Sequence, residues 1–123
     1  MPPSAEQDFY AWAQHTAQAL AEGRVQDIDL NEVAEEIEGM ARSDRRALRS
    51  QMARAMAHML KIRYQPGKHT ASWDLSIEKA REAIRELFEE SPSMRALPAE
   101  LLSGAYKVAR LDACPRQATI PSN

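Results

Sequence analysis

Apolar residues recur at helical spacing along almost the whole chain, and no stretch alternates with the period of two that a half-buried strand needs. Ser4, with Gln7 three residues on, predicts a capping box. Phe9, Trp12, Thr16 and Leu20 predict the buried stripe of a first helix that stops at Gly23. A second helix is predicted from Asp29, boxed by Glu32, with Leu30, Val33, Ala34, Ile37 and Ala41 on its apolar face. A third runs from about Asp44 to Tyr64, where Leu48, Met52, Ala55, Met59 and Ile62 repeat at spacings of four, three, four and three. Ser43 can cap it, yet Met40-Ala41-Arg42 holds no strong breaker, so a break and one continuous helix both remain open. After a loop at Pro66 to Ala71, Trp73, Ile77, Ala80, Ile84 and Leu87 mark the next helix, opening at Thr70 or Ser72. Ser91-Pro92 opens a short helix, and Pro98 opens a last one carrying Leu101, Leu102, Ala105, Tyr106 and Ala109. The expected fold is all-α: a single-domain helical bundle over residues 1–114, about four main helices plus one short helix, mostly antiparallel hairpins, with a frayed tail at 115–123.

At 123 residues the chain is long enough for one core without disulfides. Aromatics make up only 6%, so Leu, Ile, Met and Ala must fill it. Cys114 is the lone cysteine, which excludes an intramolecular disulfide and a paired-cysteine zinc site and fits a reducing compartment. The polar, acidic start shows no secretory signal, and no apolar run approaches the ~20 residues of a membrane span. A cytoplasmic protein is expected. The net charge of −2 conceals a strong division. Residues 1–39 hold nine acids and one base, whereas residues 40–73 hold eight bases and one acid.

Candidate chemistry gathers at the end of the third helix. His58, Lys61, Arg63, Tyr64, Gln65, His69 and Trp73 form a candidate binding surface around the Pro66-Gly67 corner. Tyr64 and Trp73 are expected to bracket the turn, and a helix-flank His58 can hydrogen-bond the loop it precedes. Arg45, Arg49, Arg54, Lys61, Arg63 and Lys68 are candidate nucleic-acid contacts, since arginine suits phosphate and the aromatics can stack on bases. The opposing reading neutralises this charge internally, with Glu35 or Glu38 pairing Arg42, Arg45 and Arg49 across a hairpin. Glu32, Glu35, Glu36, Glu38 and His58 lack the Glu-x-x-His spacing of a bundle metal site, and no metal or cofactor is expected. Cys114 beside Pro115 is poorly placed for a nucleophile, and Gly23, Gly39, Gly67 and Gly104 are isolated, so there is no phosphate loop. Trp12 and Trp73 fall on apolar stripes, and His15 lies beside a polar face where exposure is expected.

Several stretches resemble the bacterial domain-of-unknown-function 29 family: Asp8-Phe9-Tyr10-Ala11-Trp12, Glu35-Glu36-Ile37-Glu38, Arg42-Ser43-Asp44-Arg45-Arg46, and His58 through Pro66 followed by Ser72-Trp73. Ser91-Pro92-Ser93 and Ala105-Tyr106 add to the likeness. This chain departs from the family pattern at Ile62, where Trp is frequent, at His69, where Arg is frequent, and near Ala41, where a Gly is common. The resemblance implies an all-helical fold and no assigned activity. The leading functional expectation is a small protein-interaction module, a homo-oligomer or adaptor. The alternative is a nucleic-acid-binding regulator using segment 42–68, with an enzyme centred on His58 and His69 behind both.

Overall fold

The computed structural model describes residues 2–114 and is all-helical: α1 (Phe9–Ala21), α2 (Leu30–Tyr64), α3 (Ala71–Glu90) and α4 (Pro98–Ala113). Short 3₁₀ turns at Val25–Asp27, Pro66–Lys68 and Pro92–Ala96 join them. The short fifth helix expected at Ser91-Pro92 is the last of these turns. Of the two readings left open by the sequence, a break near Ala41 and one continuous helix, the second holds: α2 is one helix of 35 residues. Met40, Ala41 and Arg42 are good helix formers, and Arg42 pairs with Glu38 one turn back at 3.7 Å. Gly39 inside the run is tolerated at a cost of about 1 kcal/mol. The expected tail at 115–123 lies outside the described residues.

The chain divides into two compact units at Arg42/Ser43. In the first, α1 begins at Phe9 rather than after Ser4. Asp8 is its N-cap, accepting from the Ala11 N–H at 3.1 Å. Ser4 and Gln7 do form the reciprocal pair of a capping box, but on an isolated turn ahead of the helix. Gly23, at φ +70°, ends α1 in a Schellman motif: its N–H meets the Leu20 carbonyl, and the Arg24 N–H meets that of Ala19 at 2.8 Å. Asp29 caps α2 through the Asn31 and Glu32 N–H groups. Glu32 does not close the expected box. Its carboxylate takes the Ala5 N–H instead, at 2.9 Å, tying the N-terminal segment down. Burial in this unit is thin. Ala5, Thr16 and Ala19 are buried, whereas Phe9 and Leu20, expected in the stripe, are about half exposed.

The second unit is an up-down-up arrangement of the rest of α2 with α3 and α4. Leu48, Met94 and Leu101 form one core cluster, ringed by Met52, Ile84, Leu87, Phe88 and Leu97. Ala57, Ala109 and Ala113 form a second, with Met56 and Leu60 against it. The alanine seam lets α2 and α4 approach closely, which is how a chain poor in aromatics builds a packed core. Arg45 meets Glu100 and Gln65 meets the Ala113 carbonyl, so α2 and α4 run in the same direction with α3 antiparallel to both.

Candidate functional site

The polar flank of α2 in the second unit carries Ser50, Arg54, His58 and Lys61 at spacings of four, four and three, one above another on the same face. Across from them, Val108 and Asp112 stand one turn apart on α4. Between the helices lies a cleft of about 270 Å³, with the buried Ala53 and Ala57 in its lining. His58 does not hydrogen-bond the Pro66–Thr70 loop as expected. Its Nδ1 is buried without a partner, and the ring faces the cleft. Burial, then the nearby Lys61 and Arg54 charges, lower the His58 pKa. Among the described residues, Arg54, Lys61 and Asp112 form no ion pair.

The expected corner surface separates into parts. Lys61 Nζ stands 5.8 Å from the centre of the Trp73 ring, and His69 stacks on the same indole at 6.1 Å. His69 Nε2 lies 2.8 Å from Asp74 Oδ1. Arg63 lies over Tyr64 at 5.7 Å. Gln65 anchors the corner, donating to the Ala113 carbonyl at 3.3 Å. Lys61, His69 and Trp73 are thus brought together, Arg63 and Tyr64 form a separate pair, and His58 belongs to the cleft. Of the expected nucleic-acid contacts, Arg45 pairs with Glu100 at 3.0 Å, and the stem of Arg49 packs beside Gly104. Lys68 is exposed on the turn. The hairpin pairing expected of Glu35 and Glu38 is replaced by a Glu38–Arg42 pair along one helix and by Glu100 of α4. Ser50, Asp112 and Glu100 carried no motif by which the sequence could single them out.

In the first unit the start of α2 exposes its apolar face. Leu30, Ile37 and Met40 are each about 60% exposed, with half-buried Val33 between them in a three-four-three spacing. The carboxylate of Glu36 edges this stripe on one flank, with Glu38 further round on the other. A cavity of about 730 Å³ lies nearby, lined by Trp12, His15, Thr16, Asp27, Asp29 and Glu32 among others. His15 is therefore half-buried rather than exposed. The three carboxylates are already engaged: Asp29 and Glu32 by backbone N–H groups, and Asp27 by Arg24 at 2.7 Å. Asp27, then Glu22, raise the Arg24 pKa by hydrogen bonding to the guanidinium.

The model of DUF29, a domain of unknown function, matches residues 5–122. The chain belongs to the DUF29 family. The match spans both units, so the acidic first unit is as much part of the DUF29 domain as the three-helix unit after it. No curated protein and no solved structure matches the chain. No helix among the described residues is long and apolar enough to cross a membrane, and no group of three or more His, Cys, Asp or Glu there can hold a metal ion.

Proposed function

We propose that this DUF29 protein is an interaction module, an adaptor whose docking surface is the apolar stripe at the start of α2. The observation that carries this is the exposure of Leu30, Ile37 and Met40 at helical spacing in a unit with little core of its own. A unit of about 40 residues rarely stands alone without added burial. The charge of the unit selects the occupant. Residues 1–42 hold nine acids and two bases, so a second copy bringing the same face would meet repulsion. An amphipathic helix with an apolar stripe and Lys/Arg flanks would instead match both the stripe and its acidic surroundings. Covering the three side chains contributes about 1–2 kcal/mol each, given that some 60% of each remains to be buried. We assign the protein to the cytoplasm, on the support of its lone cysteine, which fits a reducing compartment.

The nucleic-acid alternative draws less support, because Arg45 is already paired with Glu100 and the stem of Arg49 packs beside Gly104. A designed 14-residue Leu/Lys amphipathic peptide tests the proposal against a Leu/Glu peptide of the same pattern. Ile37→Ser is expected to weaken binding of the Leu/Lys peptide about fivefold or more, and Glu35→Gln, on the back of the helix, to leave it within about twofold. Equal binding of both peptides, or a larger loss from Glu35→Gln than from Ile37→Ser, would overturn it.

A further inference from the structure

We propose that the cleft between α2 and α4 binds a phosphate group that carries its own proton, as free phosphate or as a protonated phosphomonoester. The cleft presents two cations, Arg54 and Lys61, to one carboxylate, Asp112, so its balance favours an anion. Arg54 supplies a planar fork of donors suited to a phosphoryl edge, and Ser50 adds a hydroxyl. His58 supplies a further donor. A buried N–H without an acceptor is costlier than a lone pair without a donor, so the partnerless Nδ1 leaves the ring proton on Nε2. The open nitrogen therefore donates. Asp112, on the opposite wall, only accepts when ionised. An anion with bare oxygens alone would set lone pairs against that carboxylate, whereas hydrogen phosphate turns its P–OH toward it. Asp112 thus acts as a filter that admits a protonated phosphate and rejects sulfate or the diester backbone of a nucleic acid. His58 is faced by Arg54 and Lys61 from α2 and by Asp112 from α4, and its own protonation adds a third cation to the cleft.

The test follows the His58 ring resonances by NMR during titration of the whole protein with inorganic phosphate, sulfate and methyl phosphate. Phosphate is expected to bind at pH 7.5 about tenfold more tightly than sulfate, one charged hydrogen bond being worth roughly that factor. Arg54→Gln should weaken phosphate about tenfold, and Arg46→Gln, outside the cleft, should not. The near-isosteric Asp112→Asn should bring sulfate to within about threefold of phosphate, since an amide can donate where the carboxylate cannot. Methyl phosphate, which keeps its proton only below about pH 6, is expected to bind at pH 5.5 and to be lost at pH 7.5, which separates an ester from free phosphate. Sulfate binding as tightly as phosphate to the unaltered protein, a preference unchanged by Asp112→Asn, or ester binding that persists at pH 7.5 would each overturn the proposal. So would the absence of any His58 response to phosphate.

Discussion

Leu48 and Leu30 lie on the same helix, and truncating each to alanine removes the same three carbons. Leu48 is fully buried, and the void left by Leu48→Ala faces Met94 and Leu101, with Met52, Ile84, Leu87 and Phe88 around it. Such truncations cost about 2–5 kcal/mol according to how far the site collapses. Two of the neighbours are methionines, whose unbranched chains can follow the space, so a cost of about 3 kcal/mol is expected. At about 4–8 °C per kcal/mol for a unit of this size, the second unit's Tm falls by roughly 12–24 °C. Leu30 is 59% exposed, so Leu30→Ala should cost no more than about 0.5 kcal/mol in the isolated protein. It should, however, weaken the Leu/Lys peptide several-fold. Urea unfolding measures the first pair of values, read from the midpoint at constant slope, and peptide titration measures the last. A Leu48→Ala cost below about 1 kcal/mol would refute the core as described. A Leu30→Ala cost equal to that of Leu48→Ala would show that the α2 stripe is already covered within the chain.

Gly23→Ala should destabilise the first unit by about 1–2 kcal/mol through backbone strain alone, since φ is +70° and nothing lies within 4 Å of an added Cβ; thermal unfolding of single-site variants measures it. Because His58 has a lowered pKa in the folded state, the folded protein binds fewer protons at this site than the unfolded chain does. The stability it contributes is fully present above about pH 6.5 and is lost as pH falls through the folded value. NMR titration should find the His58 midpoint below that of a free imidazole, and His58→Gln should flatten part of the loss in Tm between pH 7 and pH 5. A His58 midpoint above about 6.5 would contradict the burial and the charges assigned to it.

The helical class was legible because periodicity reports the buried face directly. Trp73, Ile77, Ala80, Ile84 and Leu87 lie as a buried or half-buried row on α3, and Leu101, Ala105 and Ala109 do the same on α4. Helix ends were less legible where two polar residues compete for one cap. Ser4 and Gln7 have the right spacing and form their pair, yet Asp8 starts the helix because its side chain reaches the Ala11 N–H. The stripes of α1 and of the start of α2 have the same spacing as those of the core, but Phe9, Leu20, Leu30 and Ile37 remain exposed. Periodicity says which residues share a face, not whether anything covers that face. The His58 cleft was half legible. Arg54, His58 and Lys61 stood out as candidate residues, but the partner helix that brings Asp112 opposite them is set by the alanine seam and by the Gln65 and Arg45 contacts, none of which has a local signal.

The claim that the start of α2 is a docking face for a basic amphipathic helix is tested most directly by mapping backbone amide shifts during titration with the Leu/Lys peptide at near-physiological salt. Shifts concentrated on Leu30, Val33, Ile37 and Met40, saturable in a protein that is monomeric alone, are the expected result. Shifts spread over the acidic surface and abolished by modest salt, or a free protein already dimeric through this face, would contradict it.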